Sequence, residues 1–179
     1  RNINNGGNVT TLTKTGAGMW VLKGTSNNYT GGTNITGGTL VVENAGSVGS
    51  GTIAIAGGAG TGLYLRNGVT LTNAITNATA AGAIGAQNGA NHLNGTVGLA
   101  AVELRAYVNA GASLRLGNTV SGSAAAGSNA IFKFGAGELI LGGSNPYTGI
   151  TVAAGGLLTL DYGTNNTSKL ADGSALLLG

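Results

Sequence analysis

The chain has 179 residues, a net charge of +3, and a composition with 36 glycines, one proline and no cysteine. Only 7% of its residues are charged, against about 25% in an ordinary soluble protein, whereas 42% are hydrophobic. The absence of cysteine excludes a disulfide scaffold and a thiolate metal site. A collagen helix is excluded because glycine does not recur at every third position.

The basic residues are scattered along the chain. Arg66, Arg105, Arg115 and Lys133 each stand among neutral neighbours, whereas a nucleic-acid-binding surface needs several cations close together. No signal peptide and no apolar run long enough to cross a membrane is present. We therefore expect no nucleic-acid partner and no direct membrane insertion of this segment, which has the character of a piece of a longer protein.

The first predicted element is a unit of short strands and turns over residues 14–42, KTGAGMWVLKGTSNNYTGGTNITGGTLVV. Trp20 and Leu22 are separated by one residue, and this period of two is typical of a β-strand. Asn27-Asn28 and Gly37-Gly38 mark turns, because asparagine and glycine tolerate left-handed backbone angles.

The middle of the chain, residues 43–132, lacks this unit but keeps its rhythm. Pairs of apolar residues separated by one residue recur at 53–55, 63–65, 69–71, 97–99, 102–104 and 114–116. Short strands at regular spacing favour a sandwich, a barrel or a β-helix. The Ala-rich stretch 78–90 contains three glycines, and each costs a helix about 1 kcal/mol relative to alanine. We predict tight turns and loop there.

The last predicted unit, residues 133–160 (KFGAGELILGGSNPYTGITVAAGGLLTL), repeats the first with one residue fewer before Tyr147. An internal repeat of this kind favours a solenoid, in which the apolar residues of each winding stack on those of the next. We predict an all-β fold, a parallel β-helix of about eight coils of about 20–25 residues each. Residues 1–179 then form a single β-helix fragment.

Both units resemble the passenger-associated transport repeat, also called the autotransporter-associated β-strand repeat. Its pattern is Lys-x-Gly-x-Gly-x-Leu-x-Leu-x-Gly, then Asn-x-Tyr-Thr-Gly-x-Thr, then a Gly-x-Leu strand. The positions that match the motif, to which we assign structural roles, are Lys14, Gly16, Gly18, Trp20, Leu22, Tyr29, Thr30, Gly31, Gly38, Lys133, Gly135, Gly137, Leu139, Leu141, Tyr147, Thr148, Gly149 and Gly156.

This resemblance implies a right-handed β-helix in the passenger of a bacterial autotransporter. Such a passenger is exported through the outer membrane to the cell surface, and here the translocator would lie outside this chain. Some such proteins are adhesins. The aligned lysines and tyrosines of the two units have two readings, as recognition features for export and as packing residues. We favour packing, with each tyrosine covering a corner and each lysine stem lying along the strand.

The inventory of catalytic groups is small. The sequence has five carboxylates and one histidine, His92. Glycan-cleaving solenoids need two positioned carboxylates, and a metal site needs several ligands. No two carboxylates are close in sequence, although stacked coils bring distant residues together. Glu103 and Arg105 share a strand face, where they either pair with each other or with Arg115 or form part of a solvated face, and we favour the solvated face. We expect no enzyme, no cofactor and no metal.

Three functions stay open at this point. The leading hypothesis is a structural segment that supports export and holds an adhesive region away from the cell. The second is self-association through open β-edges, leading to filaments or cell–cell aggregation. The third is binding of host matrix or glycan, with Tyr64, Tyr107 or Tyr162 stacking on sugars.

Overall fold

The computed structural model describes residues 3–79, 81–100, 103–122, 128–163, 168–170 and 174–179. Within these ranges the chain forms short strands and one three-residue 3₁₀ helix, Ala45–Ser47. In chain order the strands are β1 (Leu12–Lys14), β2 (Met19–Leu22), β3 (Thr33–Ile35), β4 (Thr39–Val42), β5 (Ile53–Ile55), β6 (Gly62–Leu65), β7 (Thr70–Leu71), β8 (Ile75–Asn77), β9 (Ala83–Ala86), β10 (Ala90–Leu93), β11 (Val97–Leu99), β12 (Leu104–Val108), β13 (Ser113–Leu116), β14 (Val120–Gly122), β15 (Asn129–Phe134), β16 (Glu138–Leu141), β17 (Ile150–Ala153), β18 (Leu157–Leu160) and β19 (Leu176–Leu178). None of the helical structure in these ranges is long and apolar enough to cross a membrane.

The strands form three parallel sheets that wrap around one interior. Sheet A has the order β1-β3-β5-β8-β11-β14, sheet B the order β2-β4-β6-β9-β12-β15-β17-β19, and sheet C the order β7-β10-β13-β16-β18. The chain thus returns to the same sheet once per winding, with every pairing parallel, which is the β-solenoid predicted from the sequence. The predicted alternatives, a sandwich and a barrel, are wrong.

The solenoid has about seven turns, one fewer than predicted. Eight strands of sheet B are separated by seven steps, which gives a length of about 34 Å at about 4.8 Å per step. The turns differ in length: 20 residues separate Ile35 from its partner Ile55, but 25 separate Ala153 from its partner Leu178.

The interior consists of side-chain rows that continue from one winding to the next. Leu40, Leu63 and Ile84 pair in succession along sheet B, and each is 1% exposed or less. A fully buried aliphatic side chain of this size contributes about 1.5–3 kcal/mol relative to an exposed one. The apolar pairs predicted to point inward are confirmed at 53–55, 63–65, 69–71, 97–99 and 114–116. In the pair 102–104, residue 102 lies outside the described ranges.

The prediction of turns and loop at 78–90 is wrong in part, because Ala83–Ala86 form β9 and β10 begins at Ala90. Gly85 does not mark a turn. It lies beneath the ring of Tyr64, where an added Cβ would come within 2.6 Å of the ring carbon Cδ1. A glycine inside a strand often marks such a close approach, and the sequence alone did not reveal which neighbour required it.

Trp20 lies at the open end of an interior row. It pairs with Leu40, which is fully buried, but is itself 45% exposed. The cause is position, because β2 is the last strand of sheet B in this direction and none of the described strands covers it.

Candidate functional site: the two repeat units

The two repeat units occupy different pairs of sheets. In residues 14–42, strands β2 and β4 belong to sheet B and β3 to sheet A; in residues 133–160, β16 and β18 belong to sheet C and β17 to sheet B. The second unit is therefore shifted around the solenoid by one face. The remaining face carries no strand at residues 23–32 of the first unit or at residues 142–147 of the second.

Each unit holds a buried lysine whose ammonium group binds backbone carbonyls. Lys14 Nζ donates to the carbonyl oxygens of Thr15, Gly16 and Gly37 at 2.8, 2.7 and 2.7 Å, and the side chain is fully buried. The first two acceptors belong to the turn that follows the lysine, and the third lies one winding later. The ammonium group thus joins two successive turns.

The lysine of the second unit repeats this arrangement inside the core. Lys133 Nζ donates to the carbonyls of Phe134, Gly135 and Gly155 at 3.4, 2.8 and 2.7 Å. Its register partners Ala106 and Ala153 are small, which leaves room for an inward lysine. Burial lowers the pKa of Lys133, while the three carbonyl contacts favour the charged form.

A buried tyrosine fills the face that lacks a strand. The hydroxyl of Tyr29 lies 2.7 Å from Thr33 Oγ1, and that of Tyr147 lies 2.6 Å from Thr151 Oγ1. Both tyrosines are fully buried. Burial raises the pKa of Tyr147 to about 12, and burial also raises the pKa of Tyr29.

An asparagine two residues before each tyrosine binds the windings on both sides. Asn27 Oδ1 accepts from the Ile3 amide at 2.8 Å, and its Nδ2 donates to the Ser47 carbonyl at 2.7 Å. Asn145 accepts from the amide of Val120 at 2.9 Å and donates to the carbonyl of Lys169 at 2.9 Å. The sequence placed both residues in turns but gave no sign that each spans three windings.

The motif glycines are not equivalent. Gly38 and Gly156 have φ of +63° and +65°, and a Cβ there would lie 2.4 Å from the carbonyl oxygens of Gly18 and Gly137. Gly16 also has a positive φ, +71°, yet at Gly16 and Gly18 a Cβ would meet nothing within 4 Å. Only some of the motif's turn glycines therefore lack space for a Cβ.

The other predicted motif residues divide between core and surface. Leu139 and Leu141 are fully buried, Leu22 is half-buried, and Thr30 and Thr148 are exposed. Of the remaining motif glycines, Gly135 and Gly149 have a positive φ, and at Gly31 and Gly137 an added Cβ would have a close backbone neighbour.

A third buried lysine was missed by the sequence analysis. Lys169 is fully buried, and its Nζ donates to the carbonyls of Gly142 and Gly143 at 2.7 and 3.2 Å. The ammonium group also lies 5.4 Å from the ring centre of Tyr162. The available signal was a lysine in a chain with very few charges, but its neighbours match no motif.

Most surface charges of the described ranges are arranged in ion pairs. Glu103 pairs with Arg105 at 2.8 Å, which is the less favoured of the two interpretations drawn from the sequence. Arg115 pairs with Asp161, whose pKa is held low by the amide of Gly163 and by this guanidinium group. Within the residues that the structure describes, no three of the histidines and acids come together as a metal site would require.

The three tyrosines considered for glycan stacking do not form one platform. Tyr107 stacks on Phe134 with ring centres 4.8 Å apart. The ring of Tyr64 lies over Gly62 and Gly85, and Tyr162 lies beside Lys169. Each of these rings therefore has an internal contact, although Tyr162 remains 49% exposed.

Comparison with known proteins agrees with this geometry. The model of the passenger-associated-transport-repeat matches residues 12–42 and 131–160, each match beginning two residues before the unit recognised in the sequence. The chain belongs to the autotransporter passenger domains that carry this repeat. Over 142 residues it is 34% identical to the adhesin BmaC autotransporter of Brucella suis biovar 1, an alignment covering 77% of the chain and 4% of that adhesin. No solved structure matches.

This passenger segment therefore spans a small part of the curated relative it matches. Its family indicates a protein that is exposed at the cell surface or secreted. The two lysine–tyrosine–asparagine units are the features that carry the family pattern. The lysine and the asparagine of each unit bind across windings, and the tyrosine binds a threonine four residues later.

Proposed function

We propose that this chain is a structural, non-catalytic segment of an adhesive passenger, and that its two repeats support export by locking successive windings as the solenoid forms. The passenger would be held at the outer membrane by a translocator outside this chain. The observation that carries the proposal is the buried ammonium group of each repeat, which is satisfied only when two windings are in place.

The energetics favour winding-by-winding closure. A solenoid coil contacts only its neighbours, so folding propagates from any stable coil. A buried ammonium group that lacks some of its hydrogen-bond acceptors is energetically costly, because the low local dielectric increases the free-energy cost of an unpaired polar group. When Gly37 arrives beside Lys14, or Gly155 beside Lys133, that cost is removed. Each repeat therefore gains stability on addition of the next winding, which suits a chain that folds as it emerges from a membrane.

Export of the passenger in its full-length parent protein tests this role. The double variant Lys14→Met/Lys133→Met removes both ammonium groups while keeping the stems, and Lys23→Met, whose side chain is 72% exposed, is the matched control. We expect at least a several-fold loss of protease-resistant passenger at the cell surface for the double variant and native levels for the control. Native export and native protease resistance of the double variant would contradict the proposal.

A second candidate is self-association. Strands β2 and β19 are the outer strands of sheet B, and they carry the exposed side chains Met19 and Leu177, which are 56% and 51% exposed. Outer strands with apolar side chains can pair with another chain. Light scattering of the purified protein over a hundredfold concentration range tests this alternative, and a constant monomeric mass would exclude it.

A further inference from the structure

A groove of about 340 Å³ lies between the turn that holds the 3₁₀ helix and strand β7. Its walls include Glu43, Asn44 and Ala45 on one winding, and Asn67 and Thr70 on the next. The groove arises from the first repeat: sheet C begins only at β7, and the preceding winding passes this face as a turn and a 3₁₀ helix. The mismatch between the two windings leaves a concave site between them.

The edge of β7 presents backbone groups to this groove. Val69 donates its amide to Asn91 Oδ1 at 3.0 Å, and its carbonyl accepts from the amide of His92 at 2.8 Å. Because backbone groups of successive strand residues point to opposite sides, the amide and carbonyl of Thr70 point away from β10. Among the described strands, none pairs with β7 on that side. The backbone N–H and C=O of Thr70 therefore give the wall of the groove one hydrogen-bond donor and one acceptor side by side.

The side chains of the groove add planar polar groups. Asn67, with φ +64°, is exposed at one end. Glu43 lies at the other end, held by Lys23 at 3.3 Å and Arg66 at 3.2 Å. Asn44 is fixed by its own turn, since its Oδ1 accepts from the Gly46 amide at 3.0 Å. Two cations and one carboxylate leave one net positive charge at the rim, which is too little for a polyphosphate or a nucleic acid.

We propose that this groove binds a saccharide, an inference that rests on the adhesive part of the proposed function. A sugar hydroxyl donates and accepts at once, so it can satisfy the paired amide and carbonyl of Thr70, while carboxylate and amide side chains bind neighbouring hydroxyls. The volume lies at the lower end of the range of small-ligand sites, about 300–1,000 Å³. This is room for a short oligosaccharide whose remaining length leaves through the open side.

An extended peptide fits the groove less well. Strand β7 has two residues, and Asn67 and Gly68 before it have φ of +64° and +72°. These left-handed residues bend the edge away from an added strand, which would need several consecutive extended residues to pair. A saccharide needs only one donor–acceptor pair from the backbone.

Binding of oligosaccharides to the purified 179-residue chain tests the site. The probes are trisaccharides of neutral hexoses, of N-acetylhexosamines and of uronic acids, measured by ligand-observed NMR and calorimetry. Ala45→Trp fills the groove from an exposed position. Asn67→Gly removes the side-chain carboxamide while keeping the left-handed backbone conformation. Ala56→Trp, at an exposed turn position outside the groove, is the matched control.

We expect at least one probe class to bind, with a loss of at least tenfold in Ala45→Trp, a loss of about three- to tenfold in Asn67→Gly, and native affinity in Ala56→Trp. A preference for the uronic acids that weakens with salt would assign the rim cations a part in recognition. Absence of binding by every probe at millimolar concentration, equal loss in Ala56→Trp, or binding of an extended peptide in place of sugars would overturn the proposal. Because export is not measured, failure here is distinct from failure of the structural role.

Discussion

Lys14 and Lys133 hold the same place in their repeats, but Lys14 ends a strand of sheet A and Lys133 lies in a strand of sheet B. Each ammonium group binds the carbonyls one and two residues after the lysine and a third carbonyl one winding later, 23 residues on for Lys14 and 22 for Lys133. The repeat is therefore a local device that works on any face of the solenoid. It requires a turn after the lysine and a matching glycine turn one winding later, and it does not require a fixed position around the axis.

The ammonium groups are expected to stabilise the folded chain. In Lys133→Met, three carbonyls lose a donor at a fully buried site, so we expect a decrease of about 2–4 kcal/mol in the free energy of unfolding. Urea denaturation followed by circular dichroism measures it. Lys23→Met, which alters an exposed ion pair, is expected to cost about 0–1 kcal/mol, and equal losses in the two variants would show that burial of the lysine is irrelevant.

The buried tyrosines are expected to make stability fall at alkaline pH. The pKa of Tyr147 is about 12 in the folded chain, against an ordinary 10.0. Between these values the unfolded chain has lost the proton and the folded chain retains it. The contribution of Tyr147 to stability is therefore fully present below about pH 10 and is lost by about 1.4 kcal/mol per pH unit as the pH rises from 10.0 to about 12.

The variant Tyr147→Phe checks this assignment. It should lose about 1 kcal/mol at neutral pH with the Thr151 contact and show a shallower alkaline slope in urea denaturation. Tyrosinate absorbance at 295 nm gives an independent measure, since the native signal should lack one late-titrating group in the variant. An unchanged slope would refute the assignment.

Two glycines of the first repeat are expected to respond differently to alanine. In Gly38→Ala the new Cβ meets the Gly18 carbonyl oxygen at 2.4 Å on a backbone with φ +63°. We expect a loss of at least about 2 kcal/mol, from strain and from displacement of the turn. In Gly18→Ala the Cβ meets nothing within 4 Å, and we expect a change below about 1 kcal/mol. Thermal unfolding of the two variants distinguishes a steric clash at Gly38 from a general requirement for glycine at both positions.

The amide of Asn145 is expected to hold the second repeat against the winding before it. Asn145→Leu removes the acceptor of the buried Val120 amide, which lies 2.9 Å away. We expect hydrogen exchange at Val120 to accelerate by at least tenfold, and limited proteolysis to begin C-terminal to it, because an unpaired buried amide favours local opening. Native exchange at Val120 would show that the contact does not limit opening there.

The sequence by itself determined the class of fold and the position of its repeats. Pairs such as Leu63 and Leu65 identified inward strand positions, because side chains alternate with a period of two whatever lies beside them. The same rule placed Glu103 and Arg105 on one face. Family resemblance came from short-range spacing, which a sequence displays directly.

Only the tertiary structure decided which windings touch and on which face. The one-face shift between the repeats depends on the summed lengths of the intervening turns, and turn length varies from 20 residues (Ile35 to Ile55) to 27 residues (Leu104 to Ile131). The burial of Lys169, the need for Gly85 beneath Tyr64 and the groove beside β7 all depend on neighbours more than 20 residues away. Such contacts leave no local pattern, because each is created by the stacking of one winding on another.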